Sequence, residues 1–290
     1  MRIAVTGAGG QLGRELVEVI RRAGHEVLPA DRRRCDIVEP AAVRRLVEEG
    51  RPEAVVNCAA WTDVDGAEAS PDEAFRVNAL GPRLLAAACH AAGVRLCHLS
   101  TDFVFDGRAQ APVDEWAATR PLSVYGASKL AGEQEVRSLC ADHSIVRTAW
   151  LFGRDGPNFV LSILRRAQQH AELRVVADQR GSPTWTGHLA PALLRLLEIG
   201  APGIVHLTGG GIASRHELAT AIIEESGLPA TVIPVSTEAY PLPARRPAHA
   251  PLDNRAWRLL GEPPLPHWRD GLRAYLSELQ AAPHAVTGRV

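Results

Sequence analysis

The chain has 290 residues, 46% hydrophobic and 22% charged, with 32 basic residues balanced by 33 acidic ones for a net charge of −1. Those values exclude a disordered chain, and the lack of a basic arm or stripe argues against nucleic acid as the main partner. No apolar run approaches the ~20 residues of a membrane helix, and the first residues lack a signal peptide's charged start and apolar core, so a cytoplasmic protein with no membrane partner is expected.

Taken in chain order, residues 2–6 read as a strand, 11–23 as a helix with Leu12, Leu16, Val19 and Ile20 on one face, and 26–29 as a second strand. A helix over 41–49, a strand over 54–57, a helix over 71–92 opened by Pro71, and a strand over 95–99 follow. Residues 123–139 read as a helix and 144–148 as a fifth strand. This alternation predicts an α/β protein: a Rossmann-type, doubly wound parallel sheet with helices on both faces.

Beyond about residue 150 the pattern loosens. Helices are expected over 158–169, 188–198 and 214–226, the last with a capping box between Ser214 and Glu217, and strands over 173–176 and 204–207. Residues 234–251 hold five prolines and read as a loop or extended segment. The expected organisation is a dinucleotide-binding domain over 1–150 and a smaller, mainly substrate-binding lobe over 151–280. Some segments of that lobe return to the first domain, and a frayed tail covers 281–290. The five cysteines (Cys35, Cys58, Cys89, Cys97 and Cys140) form no C-x-x-C pair and read as reduced, buried small hydrophobes.

The first strand runs into Gly7-Ala8-Gly9-Gly10-Gln11-Leu12-Gly13 and then a helix. Glycines at 7, 10 and 13 let backbone N–H groups approach a pyrophosphate at the positive end of the helix. The bland alternative is a tight turn that packs helix on strand. Asp31 stands 18 residues after Gly13, where an acid accepts the ribose 2′-hydroxyl of NAD. Arg32, Arg33 and Arg34 follow at once and suit the 2′-phosphate of NADP, or else are a solvated loop.

Lys129 is the only lysine among the 32 basic residues. Where arginine serves almost everywhere, a retained lysine marks a role arginine does not fill. Tyr125 lies four residues earlier, one helical turn away on the same face. A phenol with pKa ~10 is a poor proton shuttle, and a nearby ammonium is expected to lower it. Thr101 falls at the C-terminal end of the fourth strand, where ligands bind in open α/β sheets, and its hydroxyl can donate to a carbonyl oxygen gaining charge. An accidental surface pair and a plain strand-end turn are the alternatives.

With those residues in place, the chain resembles the extended short-chain dehydrogenase/reductases, and within them the branch that reduces dTDP-linked 4-keto-6-deoxy sugars. The resemblance spans roughly 1–280. It rests on the glycine loop, on Asn57-Cys58-Ala59-Ala60-Trp61-Thr62-Asp63-Val64-Asp65, on Val77-Asn78-Ala79, on Ser100-Thr101-Asp102-Phe103-Val104-Phe105-Asp106-Gly107 and on Tyr125-Gly126-Ala127-Ser128-Lys129 with Gly132-Glu133. It continues in Arg147-Thr148-Ala149-Trp150, in Asp178-Gln179-Arg180-Gly181-Ser182-Pro183-Thr184 and in Arg246-Pro247 with Leu252-Asp253.

The resemblance implies a catalytic trio of Thr101, Tyr125 and Lys129. It implies cofactor contacts at Gly7, Gly10, Gln11, Leu12, Gly13, Asp31, Arg32, Asp36, Ile37, Ala59, Ala60, Trp61, Leu99, Tyr125 and Lys129, and substrate contacts at Thr101, Asp102 and Trp150. The implied reaction is reduction of the C4 ketone of dTDP-4-dehydro-L-rhamnose by NADPH, with NADH as a second option. Some relatives hold magnesium at a dimer interface, so a homodimer and a magnesium ion are also implied, with no metal ligands assigned here. His249, Ala250 and Ala256 depart from the usual residues around the Leu-Asp pair, and Trp61 stands where tyrosine is common. Phe103 cannot move a proton, unlike the glutamate that follows the aspartate in the related dehydratases. A 4-epimerase, a 4-ketoreductase of other stereochemistry, and a non-catalytic regulatory subunit of methionine adenosyltransferase are the competing readings.

Overall fold

A computed structural model describes residues 1–281; the remainder of the tail expected to fray lies outside the described residues. The apolar runs of the first half form β1 (Arg2–Thr6), β2 (Glu26–Ala30), β3 (Ala54–Asn57), β4 (Arg95–Thr101) and β5 (His143–Thr148). Between them lie α1 (Gln11–Arg22), α2 (Pro40–Arg44), α3 (Val64–Ala69), α4 (Pro71–Phe75), α5 (Gly81–Ala92) and α6 (Val124–Leu139). Proline opens α2 and α4, where its missing N–H has no helical partner to lose. Both helices then widen into π-type turns over 45–49 and 76–80. The short α3 was not expected; the Asp63 carboxylate caps it by accepting from the Gly66 N–H at 2.9 Å.

The second half supplies β6 (Leu151–Phe152), α7 (Phe159–Ala167), β7 (Glu172–Val176), β8 (Arg180–Gly181), β9 (Thr184–Trp185), α8 (Thr186–Ile199) and β10 (Gly203–His206). It continues with β11 (Ala213–Ser214), α9 (Arg215–Ser226), β12 (Thr231–Val235), α10 (Arg255–Leu259) and α11 (Trp268–Ala281). The capping box forms as read: the Ser214 hydroxyl accepts from Glu217 N–H and the Glu217 carboxylate from Ser214 N–H. One expectation needs correcting. Pro234 is not loop: it and Val235 complete β12, paired in parallel with β7. A two-stranded ribbon is all edge, so a residue without an N–H is tolerated there.

Six parallel strands make the main sheet in the order β10-β5-β4-β3-β1-β2. Helices cover both faces, as near-continuous apolar strands require. On one face Leu12, Leu16 and Ile20 of α1 pack with Leu189, Leu193 and Leu197 of α8. On the other, Val43, Leu85, Cys89 and Val136 cover Val55 and Leu96. A separate core gathers Phe152, Val160, Leu173, Leu218, Ile222, Leu272 and Tyr275 from the second half. Among the described residues no helix is long and apolar enough to cross a membrane.

Candidate active site

The strand order reverses direction between β1 and β3, and the crevice beyond their C-terminal ends is where open α/β sheets take ligands. Two loops meet there. Gly7 adopts φ +65°, and a Cβ on it would lie 2.6 Å from the Ala59 nitrogen. A Cβ on Gly13 would lie 2.2 Å from the Gly7 carbonyl oxygen. Both positions therefore need glycine, one for its backbone conformation as well as for close approach. Gly10 precedes α1 in extended conformation and offers the first turn no side-chain cap. The first N–H groups of α1 thus face a bare backbone cradle, which fits a pyrophosphate.

The loop after β3 is held from both sides. Thr6 Oγ1 donates to Asn57 Oδ1 at 2.6 Å, and the same oxygen accepts from Ala59 N–H at 3.2 Å. The Asn57 amide nitrogen bonds His98 Nδ1 at 3.0 Å; burial and the Lys129 charge hold His98 well below its usual pKa, so the ring is neutral. Asn78 Oδ1 accepts from Trp61 N–H at 2.8 Å, and its amide donates to the Trp61 carbonyl at 3.1 Å and to Ser128 Oγ at 3.0 Å. Asn78 therefore ties the loop bearing Ala59, Ala60 and Trp61 to the helix bearing Tyr125 and Lys129. A Cβ on Gly132 would lie 2.1 Å from the Asn78 carbonyl oxygen, which accounts for that glycine.

At the far end of the glycine loop, a cavity of about 620 Å³ is lined by Arg14, Arg21, Arg34, Arg154, Asp31, Glu18 and Asp155 with the loop itself. Asp31 turns its Oδ1 to the Arg33 and Arg34 N–H groups at 3.1 and 3.0 Å. Arg34 lines the cavity, whereas Arg32 is directed to Asp36 at 3.3 Å with its side chain 84% exposed. The Ile37 side chain is buried beneath Gly81, so only its backbone is available to a cofactor. Arg34 belongs to the arginine run read in the sequence, whereas Arg14 and Arg154 carry no motif and only the folded chain brings them to it.

Thr101, Asp102 and Tyr125 meet at the C-terminal end of β4. Thr101 Oγ1 donates to Asp102 Oδ1 at 3.0 Å. Phe103 packs edge-on against Tyr125 with centroids 5.3 Å apart, and a Cβ on Gly126 would strike the Phe103 carbonyl oxygen at 2.3 Å. Gly126 thus lets the start of α6 close onto the turn after β4. Burial pushes Tyr125 up to about 12, against a lowering by the Thr101 hydroxyl, with the Asp102 charge raising it further. The phenol is therefore raised, contrary to the lowering expected from Lys129. That ammonium is directed elsewhere: Nζ donates to the Leu99 carbonyl at 2.6 Å. Burial pulls Lys129 down to about 8, while the Glu133 charge one turn further along α6 pulls it up. Glu133 is itself buried, bonded by Ser100 and paired bidentately with Arg147 at 2.9 and 2.7 Å. Burial raises Asp102 to about 6, with Thr101 and then Arg215 lowering it.

Trp150 is set beside this group with φ +46°, a strained backbone for a bulky residue. Its indole lies against Gly181, where a Cβ would sit 2.4 Å from Cε2. The Arg215 guanidinium covers it at 3.6 Å from the ring centroid. A second cavity of about 770 Å³ opens next to Arg215, lined also by Arg166, Arg174, Arg245, Arg246, Phe159 and Tyr240, with no acidic side chain in its wall. Five arginines there suit a diphosphate. Among the described residues no group of three or more His, Cys, Asp or Glu side chains is placed to hold a metal ion.

A dinucleotide cradle at the switch point, with a tyrosine, a threonine and a buried lysine gathered near the C-terminal end of β4, defines a Rossmann-type NAD(P)-dependent oxidoreductase of the short-chain dehydrogenase class. More particularly, residues 1–281 match the RmlD substrate binding domain family, and the chain belongs to it. It is 44% identical to a dTDP-4-dehydrorhamnose reductase of Mycobacterium tuberculosis, covering 95% of this chain and 92% of that one. A crystal structure of a dTDP-4-dehydrorhamnose reductase from Clostridium acetobutylicum superposes with TM-score 0.94 at 41% identity, covering 97% of this chain and all 100% of the other. A Bacillus anthracis dTDP-4-dehydrorhamnose reductase solved with NADP gives TM-score 0.93 at 38% identity over 96% of this chain and 99% of its own.

Proposed function

We propose that this chain reduces the C4 ketone of dTDP-4-dehydro-L-rhamnose to dTDP-L-rhamnose, using NADPH in preference to NADH. The observation that carries the reading is the meeting of Thr101, Asp102 and Tyr125 beside a cavity walled by five arginines and an exposed Tyr240. The reactions named for its relatives support the same substrate. A cytoplasmic location and a homodimer belong to this reading.

Gly7, Gly10, Gln11, Leu12 and Gly13 would hold the pyrophosphate at the start of α1. Asp31, Arg32, Asp36 and the Ile37 backbone would flank the adenosine end, joined by Arg34. Ala59, Ala60, Trp61 and Leu99 would line the middle of the dinucleotide, and Lys129 would hold the nicotinamide ribose. When bound, the reduced nicotinamide supplies the hydride. Tyr125, kept protonated by burial, gives its proton to the C4 oxygen; a phenol raised to about 12 carries that proton at every physiological pH, as a donor must. Thr101 donates to the same oxygen. Its single proton is directed to Asp102 at 3.0 Å in the free enzyme, so a sugar hydroxyl takes over that carboxylate as Thr101 turns to the ketone. Trp150 forms one wall of the sugar site, and magnesium is given no step.

The test is NADPH oxidation by the purified chain with dTDP-4-dehydro-L-rhamnose, followed by NMR assignment of the product's C4 configuration. One NADPH consumed per sugar supports the reading. Turnover with no net loss of NADPH absorbance makes the chain an epimerase instead.

A further inference from the structure

We infer that Arg215 is a positioning residue of the sugar end of the cleft, clamping the Trp150 indole against Gly181 and lending a fixed positive charge to the surroundings of the Asp102 carboxyl. The inference rests on the proposed ketone reduction for its kinetic consequences, but its electrostatic part does not.

The backbone of Arg215 is firmly rooted. It is the first residue of α9, set inside the capping box between Ser214 and Glu217, and its N–H donates to the Gln179 carbonyl at 3.3 Å. From there the guanidinium lies 3.6 Å from the Trp150 ring centroid and 5.1 Å from that of Phe159. Opposite, Gly181 leaves no room for a side chain, with a Cβ 2.4 Å from the indole. The indole is thus held between a bare backbone and a planar cation. A guanidinium stacked through its face keeps its N–H donors free at the edge, and lysine does not reproduce that geometry.

The groups that act on Asp102 come from three elements. Thr101 of β4 and Arg215 of α9 stabilise its charge, and Tyr125 of α6 adjoins it. Arg246, from the 236–254 segment, acts on Arg215 by repulsion. Burial lowers Arg215 to about 10, which leaves it charged at neutral pH. With the cation in place Asp102 titrates at about 6 and is a carboxylate at neutral pH, ready to accept a sugar hydroxyl. Without it, burial is opposed only by the Thr101 hydroxyl and nearby backbone N–H groups, and the carboxyl moves further up.

The experiment compares Arg215→Ala and Arg215→Lys with the parent enzyme in pH profiles of kcat/KM. For Arg215→Ala the acid limb moves up by about one pH unit and KM for the sugar nucleotide rises about tenfold, while kcat at the optimum stays within about threefold. Arg215→Lys keeps the limb in place, because the charge remains, and recovers KM only in part. An unmoved limb and KM in Arg215→Ala, or a lysine variant whose limb shifts like that of alanine, overturns the inference.

A substrate-free arm separates this from the reaction itself. Asp102 is raised from 3.8 to about 6, so the native state binds its proton more tightly and stability falls as pH rises through that window. In Arg215→Ala the fall continues above pH 6, and in Arg215→Ala/Asp102→Asn it disappears. Thermal unfolding against pH reads this directly. Coupling present without turnover in the parent enzyme overturns the reaction, not the electrostatic pairing; turnover without coupling overturns the pairing.

Discussion

Arg246 grips Asp65 through two hydrogen bonds, Nη2 to Oδ2 at 2.7 Å and Nη1 to Oδ1 at 3.0 Å, across 181 positions of sequence. The Ala244 N–H adds a third bond to Oδ1 at 3.0 Å. At its other end, the same segment is anchored where Asp178 accepts from the Thr237 N–H at 2.9 Å and from its hydroxyl at 2.7 Å. A stretch with too many prolines for regular structure is thus pinned at both ends by a carboxylate. Between the pins it presents Tyr240, Leu242 and Arg245 to the arginine-lined cavity.

Loosening either pin weakens sugar-nucleotide binding more than chemistry. Asp65→Ala or Asp178→Ala raises KM for the sugar nucleotide about tenfold, with kcat within about threefold and NADPH affinity unchanged. The Arg246 hydrogen bond holds Asp65 below the usual carboxylate range. Its contribution to stability is therefore present at neutral pH and is lost as pH falls through that lowered value. Steady-state kinetics and calorimetric titration with NADPH check both halves.

Gly7→Ala combines a disfavoured backbone conformation with a Cβ 2.6 Å from the Ala59 nitrogen. The loops after β1 and β3 then separate, and NADPH binding weakens by at least about tenfold even in the fraction that folds, since displacing backbone by about 1 Å is enough. Direct titration of the purified variant measures it.

Lys129→Arg keeps the charge but not the shape. Lys129 is only 3% exposed and its Nζ is 2.6 Å from the Leu99 carbonyl, so a longer planar head overpacks the site. The variant is expected to lose about 1–3 kcal/mol of stability and at least about 100-fold in kcat. Tyr125→Phe loses as much activity with unchanged folding. The double variant is little worse than the worse single one, because the two residues act together. Near-normal turnover in Lys129→Arg would falsify the assigned role.

Initial rates measured across pH are expected to give a bell for kcat/KM, with an acid limb at about 6 from Asp102 and an alkaline limb at about 8 from Lys129. Tyr125, at about 12, contributes no limb in the accessible range. The lysine makes opposite predictions for activity and stability. Its native pKa lies below the ordinary lysine value of 10.5, so the unfolded chain holds more protons between about 8 and 10.5 and this group adds stability as pH rises. Activity therefore falls through pH 8 without a matching fall from this lysine in the melting temperature.

Cofactor choice is expected to follow Arg34 rather than Arg32. Arg34→Ala weakens NADPH about tenfold and leaves NADH within about twofold, because a 2′-phosphate loses a charge-assisted partner. Arg32→Ala changes both cofactors little, its side chain being turned to Asp36. Parallel Kd measurements with the two cofactors decide between them.

The parallel sheet was legible from the sequence because its strands are short apolar runs separated by helical periodicity, a signal local to each segment. The glycine loop and the Tyr125–Lys129 spacing were legible for the same reason. What lay beyond reach depends on distance in the chain. Arg215 sits inside an ordinary capping box and nothing beside it signals a cleft; its partner Trp150 lies 65 residues earlier. The five arginines of the second cavity are spread from 166 to 246 among many others, so composition masks them. The direction of the Tyr125 shift also eluded spacing, since four residues on a helix fix proximity but not where an ammonium points, and burial decided the sign.

A chain with one lysine carries one side-chain amine, and that amine is sealed beneath the cleft. Lysine-directed acylating reagents therefore have a single side-chain target whose reactivity measures how often the cleft opens. Modification localised to the peptide containing residue 129 reports breathing of the folded enzyme, and any ligand that closes the cleft lowers its rate. Immobilisation chemistries that rely on surface lysines find none to attach to. The same arginine-for-lysine composition that sets Lys129 apart thus makes this buried site its own probe of motion, with no label introduced by mutation.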